Sequence, residues 1–244
     1  MKKFSAIVLF LCFALQPVAT SAMTAVRISP RTLHAQYAAQ VAQRLSKRGS
    51  SSATYAPVGD YTPALPAKGL SLGSTTAPVT IVEFLDYACP SCAQFDVQTL
   101  PQIKTRYIAS NKVHFVVRNF PLSFHAAANT AAQAVECSRD QNENFGWQLH
   151  DALLAMTLKN GDLTQDDVYT AIQSVTGIDT EKMYYCIDTK AKQPVIDLDT
   201  QDAVNGGING TPSFWVLGPK GKAELVQGSL PFVSFQKVIE TMMK

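Results

Sequence analysis

The sequence lacks an excess of either charge. Its 244 residues carry 21 Lys and Arg against 19 Asp and Glu, a formal net charge of +2. Lys2 and Lys3 account for that difference, so the chain after them is neutral. A protein that binds nucleic acid neutralises phosphates with a surplus of basic side chains. The charge balance therefore argues against nucleic acid as a partner.

Long apolar runs are also lacking beyond the first residues of the chain. A helix that crosses a bilayer needs about 20 apolar residues, and the run at residues 6–15 is too short for that. Two lysines precede this run, and the small residues 20–22 follow it. This pattern predicts a secretory signal peptide over residues 1–22. We therefore expect an exported protein that is soluble once the signal is removed.

Cysteine and histidine are scarce, with five and four residues. Cys12 lies in the predicted signal, so the mature chain keeps Cys89, Cys92, Cys137 and Cys186. An even number of cysteines in an exported protein suggests disulfides. Short spacing favours Cys89 with Cys92, which leaves Cys137 for Cys186 across a loop worth on the order of 4 kcal/mol. Two free buried thiols are the alternative for this second pair.

Residues 23–69 differ in composition from the rest of the chain. Residues 31–47 have the apolar spacing of an amphipathic helix, and a stretch rich in Gly, Ser and Pro follows, as in a linker. The apolar stripe of a short helix needs a surface to cover it. We expect it either to pack on the main domain or to meet its counterpart in a second chain, which would make the protein a homo-oligomer.

The remaining pattern predicts an α/β domain that is interrupted by helices. Residues 70–122 contain two apolar strands separated by a helix, which is typical of a parallel βαβ unit. Residues 123–206 show helical periodicity throughout and predict an inserted helical domain. The β pattern returns in residues 207–244 as a hairpin, and a final helix follows.

The sequence Cys89-Pro90-Ser91-Cys92 lies where the first strand gives way to a helix. We expect Cys89 at the first helical position, where free N–H groups and the helix dipole stabilise a thiolate and lower the thiol pKa. A zinc site would need more ligands at close spacing than this chain offers. A structural staple across so short a loop would stabilise the fold weakly. The motif therefore favours thiol–disulfide exchange through a mixed disulfide.

Several motifs together make the chain resemble the thioredoxin-fold periplasmic oxidoreductases of the DsbA type. They are the strand ending in Glu83-Phe84-Leu85, the C-x-x-C helix start, the helical insertion, and Gly210-Thr211-Pro212 before the hairpin. The resemblance covers residues 70–244. It implies an α/β thioredoxin-like fold with an inserted all-helical domain, and an enzyme that exchanges disulfides with exported, cysteine-containing proteins. It implies a membrane redox partner and no metal or organic cofactor.

The resemblance also assigns roles to single residues. Pro212 would be a cis-proline facing the two sulfurs, and Thr211 would offer its backbone to a bound peptide. Pro90 and Ser91 would belong to the same substrate-contacting surface. Glu83 would be a buried carboxylate that takes or relays the proton of Cys92, the alternative being a glutamate that faces water.

Two further assignments concern the helical insertion. Cys137 and Cys186 match positions that form a structural disulfide in some relatives, and His125, at the start of the insertion, would be structural.

Two departures from the family pattern bear on the type of activity. Strongly oxidising relatives carry histidine at the position of Ser91, so we expect a higher Cys89 pKa and a less oxidising couple here. Thr211 before the proline is typical of dimeric isomerases. An oligomeric disulfide isomerase or reductase is therefore an alternative function, and a non-enzymatic metal-binding or client-holding module is another.

Overall fold

The computed structural model describes residues 69–244. The predicted signal peptide, the predicted helix at residues 31–47 and the linker lie outside the described residues.

A mixed sheet of five strands forms the centre of the described chain, in the order β1-β3-β2-β4-β5. The parallel pairing of β2 with β3 confirms the predicted βαβ unit, and β4 and β5 form the predicted antiparallel hairpin. β1, which pairs antiparallel with β3, was not expected from the sequence. The strands are β1 Leu70–Leu72, β2 Val79–Leu85, β3 Val113–Asn119, β4 Ser213–Leu217 and β5 Ala223–Gln227.

Helices cover both faces of this sheet, and a block of them, α3 to α7, lies between β3 and β4. The predicted helix after Cys89 is broken near Pro101, which supplies no N–H to the helix, and a π-helical turn at Lys104–Ile108 follows. The α-helices are α1 Pro90–Gln98, α2 Leu100–Ile103, α3 Ala128–Gln141, α4 Glu143–Asn160, α5 Gln165–Ser174, α6 Thr180–Asp188, α7 Gln193–Asn205 and α8 Phe232–Met242.

A cluster of phenylalanines fixes α1 on the sheet. The ring centroid of Phe95 on α1 lies 4.4 Å from that of Phe214 on β4 and 5.2 Å from that of Phe235 on α8. All three side chains are fully buried. Each such ring pair adds about 0.5–1.5 kcal/mol beyond the burial of its area. The helix that follows the cysteine motif is therefore held firmly.

A buried ion pair ties the helical block to the other face of the sheet. Arg118 on β3 donates to Asp199 on α7 over 2.6 Å, and its guanidinium lies 2.6 Å from Asp202. The same guanidinium lies over the ring of Phe84 on β2. Since a buried charge is tolerated only when it is paired, these contacts fix how α7 sits against the sheet.

A disulfide joins Cys137 on α3 to Cys186 on α6, across a sequence separation of 49. Because these two sulfurs are bonded, the alternative of two free buried thiols is wrong. The disulfide lies wholly within the helical block. Cys89 and Cys92 are free thiols in this structure.

Candidate active site

Cys89 lies between the carboxyl end of β2 and the start of α1. It is the N-cap residue of α1, one position before the helical residue that the sequence predicted, and Pro90 begins the helix. The carbonyl of Cys89 accepts hydrogen bonds from the N–H groups of Cys92 and Ala93 at 3.1 and 3.2 Å. The N–H groups of Ser91 and Cys92 also act on the Cys89 sulfur.

Hydrogen bonds lower the pKa of Cys89 from an ordinary value of 9.0 to about 5. The largest cause is the hydrogen bond from the side chain of Cys92, and the Thr211 side chain and the N–H groups of Cys92 and Ser91 act in the same direction. Partial burial opposes them. Cys89 is therefore a thiolate at neutral pH.

Cys92 has the opposite character. Its side chain is fully buried, and burial is the largest cause that raises its pKa well above 9.0; the hydrogen bond to Cys89 adds to this. Cys92 therefore holds its proton and donates it towards the Cys89 sulfur. The arrangement distinguishes a nucleophile near the surface from a protected thiol behind it.

The loop before β4 faces these sulfurs. The peptide bond between Thr211 and Pro212 is cis, and the Cys89 sulfur lies 3.5 Å from the carbonyl oxygen of Thr211. Within the described chain the hydroxyl of Thr211 is buried without a hydrogen bond of regular geometry, yet it lies close enough to lower the Cys89 pKa. Pro90 and Ser91, which lie between the two cysteines in the chain, are exposed.

Glu83 lies in the middle of β2, with only 2% of its surface exposed. Burial raises its pKa well above 4.5, the negative charges of Asp96 and Cys89 raise it further, and Lys104 opposes the shift. The alternative of a glutamate that faces water is therefore wrong. Asp96 and Lys104 were not expected near Glu83 from the sequence, because they follow it by 13 and 21 positions, yet their charges act on it.

Another polar group lies between α1 and α4. Ligand atoms of Asp96, His150 and Asp151 lie within 4.8 Å of one another, an arrangement that could hold a metal ion. However, the two ring nitrogens of His150 already lie 3.2 Å from the Tyr87 hydroxyl and 3.4 Å from Asp96. These two protein contacts account for the position and orientation of the His150 ring.

Most of the described chain lies within the match to a known family. The sequence model of the family described as Thioredoxin matches residues 67–240. The chain belongs to the thioredoxin family. Among curated proteins, it is 28% identical over 177 residues to the probable disulfide bond formation protein D of Bacillus cereus, covering 71% of this chain and 78% of that protein. It is 31% identical over 152 residues to the Bacillus subtilis protein of that name, covering 59% and 66%.

Solved structures place this thioredoxin-family chain beside the DsbA proteins. The crystal structure of Pseudomonas aeruginosa DsbA2 aligns with a TM-score of 0.62 at 26% identity, covering 74% of this chain and 97% of that one. These likenesses confirm the predicted DsbA-type fold with a helical insertion. They also confirm the predicted enzyme class, a thiol–disulfide oxidoreductase.

None of the described helices combines the length and the apolar character that a membrane span requires. Even the longest of them, α4 with 18 residues, is not apolar enough to cross a bilayer.

Proposed function

We propose that this protein is a periplasmic disulfide donor that oxidises exported, cysteine-containing proteins through the Cys89–Cys92 pair. The observation that carries the proposal is the contrast between the two pKa values. A pKa of about 5 means that the Cys89 thiolate is stabilised, and with it the reduced enzyme. A stabilised reduced form makes the corresponding disulfide an oxidant.

The proposed reaction starts from the oxidised enzyme. A substrate thiolate attacks the sulfur of Cys89, the S–S bond to Cys92 breaks, and Cys92 leaves with the electron pair and takes up a proton. A second substrate thiolate then attacks the substrate sulfur of the mixed disulfide. Cys89 leaves as a thiolate, the substrate gains a disulfide, and the enzyme holds the two electrons as a dithiol. A leaving thiol of low pKa makes this second step fast.

Glu83 is proposed to handle the proton of Cys92. Burial raises the pKa of its carboxyl well above 4.5, which favours the protonated form, and the charge on Cys89 raises that pKa further. When Cys92 leaves, it needs a proton because burial disfavours its thiolate. In the proposed reaction Glu83 supplies that proton and takes it back when the pair is oxidised again.

The substrate chain is proposed to bind across the exposed residues Pro90 and Ser91 and the loop of Thr211 and Pro212. The carbonyl of Thr211 lies beside the reactive sulfur, so a peptide that pairs with this backbone would bring its own cysteine to Cys89. This recognition uses the backbone of the substrate, so it suits many different unfolded proteins.

The first test uses variants of the two cysteines. Oxidation of a peptide with two thiols should stop in Cys89→Ser. In Cys92→Ser, the Cys89 thiolate should attack the disulfide of an oxidised peptide, release one peptide thiol and accumulate a mixed disulfide that a mass shift reveals. Unchanged turnover in Cys89→Ser would refute the assignment of Cys89 as the sulfur that exchanges with the substrate.

The second test separates a disulfide donor from a reductase or isomerase. The pKa of about 5 lies between the values of roughly 7 for thioredoxin and about 3.5 for strongly oxidising DsbA. Equilibration with glutathione gives the reduction potential directly. A value towards about −120 mV supports the donor, and a value near about −270 mV supports a reductase. Alkylation of thiols straight from cells should find the Cys89–Cys92 pair oxidised.

The proposed reaction uses only protein sulfurs and passes its electrons to a membrane redox partner, with no metal or organic cofactor. The proposed signal peptide supports the periplasmic location. Fractionation of cells should recover the protein with the periplasmic contents, cut after residue 22.

We also propose that residues 23–69 form an oligomerisation segment. Deleting residues 23–65 should then reduce the mass measured by light scattering to that of one chain. An unchanged mass would contradict this role, with no bearing on the chemistry of Cys89.

A further inference from the structure

One buried carboxylate that takes no part in the proposed chemistry lies next to the cysteine motif. The side chain of Asp86, the first residue after β2, has no exposed surface. Its Oδ1 accepts the N–H of Ala88 at 2.8 Å. Its Oδ2 accepts the N–H of Leu122 at 2.9 Å and faces Nδ1 of His125 at 2.7 Å. A buried carboxylate is tolerated because donors of this kind surround it.

The main chain of Asp86 touches both active-site cysteines. Its carbonyl accepts the N–H of Cys89 at 3.0 Å. Its own N–H hydrogen-bonds to the sulfur of Cys92, which opposes the effect of burial on that thiol. The bond from Ala88 to Oδ1 is a side-chain turn that shapes the chain between β2 and Cys89. The conformation of Asp86 therefore helps to set where both sulfurs lie.

The donors to Oδ2 come from a different part of the chain. Leu122 and His125 belong to the connection between β3 and the helical block, and the N–H of His125 closes a turn onto the carbonyl of Leu122 at 3.1 Å. The His125 ring also contacts the ring of Phe124, whose side chain is 74% exposed. One carboxylate oxygen thus fastens the start of the helical block to the loop that carries Cys89.

We propose that Asp86 and His125 are positioning residues of the active site, a clamp that keeps Cys89 and Cys92 where the thiolate is stabilised. The proposal rests on the proposed function and adds a role for two residues that do not touch substrate. Removing the His125 donor changes the surroundings of one oxygen. Oδ2 of the buried Asp86 side chain is left with one donor fewer beside the sulfurs, and the Leu122 hydrogen bond remains as the anchor of the loop before Cys89. The loss of that donor disfavours the Cys89 thiolate.

The test compares three variants with the full mature protein. In His125→Phe the ring is kept and the donor is lost. In His125→Asn the amide nitrogen can occupy the position of Nδ1 and restore the bond. His114→Phe is the matched control. His114 is another histidine of low exposure, but it lies on β3 in register with Thr80, at the far end of β2 from Cys89.

Two readouts report on positioning and not on folding alone. The Cys89 pKa is followed by the thiolate absorbance at 240 nm, and the equilibrium constant with glutathione is measured at pH 7. We expect His125→Phe to raise the pKa and to make the enzyme about tenfold less oxidising, which is about 30 mV. We expect His125→Asn and His114→Phe to stay within about twofold of the wild type, well inside that shift.

The proposal is overturned if folded His125→Phe keeps the wild-type pKa and equilibrium constant, or if His114→Phe changes them equally. If His125→Phe does not fold, His125→Ala gives the same comparison without a clash. Failure of the proposed function is a separate result. It would appear as a wild-type protein that oxidises no dithiol peptide. The clamp is tested by the Cys89 pKa and the equilibrium constant with glutathione, and neither measurement uses that peptide.

Discussion

Acidification of the reduced protein gives the most direct check on the site, because the Cys89 pKa is about 5 when folded and about 9.0 in its ordinary state. A group with a depressed folded pKa adds stability that is fully present above the unfolded pKa and is lost as the pH falls through the folded one. The thiolate should therefore stabilise the reduced fold increasingly from pH 5 to pH 9 and contribute nothing below pH 5.

The size of the effect at pH 7 follows from the same values. The pH lies about two units above the folded pKa of about 5, and each unit is worth about 1.4 kcal/mol. Solvent reaches part of this site and screens the charge, so we discount the sum and expect about 2 kcal/mol. The reduced protein should be more stable than its Cys89→Ser variant by about that amount at pH 7, since serine keeps the shape without the charge.

The assay is urea denaturation of the two reduced proteins between pH 4 and pH 8. The other titrating groups are shared, so the difference in the free energy of unfolding reports on Cys89 and on its coupling to Cys92 and Glu83. A titration of the absorbance at 240 nm should have its midpoint near pH 5. A midpoint near pH 9, or a stability difference that does not change with pH, would refute the reasoning.

Three further predictions concern neighbouring groups. Cys92→Ala should raise the Cys89 pKa towards 9.0, and Cys92→Ser should raise it less because the hydroxyl still donates; equal absorbance titrations would contradict this. Glu83→Gln should slow reoxidation yet stabilise the fold at pH 7, because burial raises the Glu83 pKa and its charge opposes folding above pH 4.5; the gain in urea denaturation should vanish at pH 4. Asp199→Ala should lower the free energy of unfolding by about 3–5 kcal/mol, since it leaves the buried Arg118 without that partner; a loss below about 1 kcal/mol would show that Asp202 alone suffices.

Local pattern was enough to predict the elements that carry the site. The apolar run of β2 and the change to helical spacing after it identify a strand–helix junction, and Cys89-Pro90-Ser91-Cys92 falls on it. The apolar neighbours of Glu83 favoured its burial for the same reason, since a strand covered on both faces buries every side chain. The placement of Thr211 and Pro212 beside Cys89 came from the family resemblance, because no local pattern indicates that contact.

Contacts between distant positions could not be predicted from one sequence. Asp86 and His125 are 39 residues apart, and each lies in a loop whose local sequence does not indicate the contact. The ion pair of Arg118 with Asp199 spans 81 residues. β1 is only three residues long, so its pairing with β3 rather than its own pattern makes it a strand. These features depend on how the elements pack, which local propensity does not encode.

The contrast between Cys89 and Cys92 follows from where one helical turn places them. The two sulfurs share a helix start, but the sulfur before the first turn receives hydrogen bonds, whereas the one inside it is enclosed by apolar side chains. Each shift strengthens the other, because a charge on Cys89 raises the pKa of Cys92, and the proton kept by Cys92 stabilises that charge. The reduced pair is thus stabilised as one anion and one thiol. That stabilisation is lost when the S–S bond forms. The same geometry that makes Cys89 reactive therefore also makes the Cys89–Cys92 disulfide a good oxidant of other thiols.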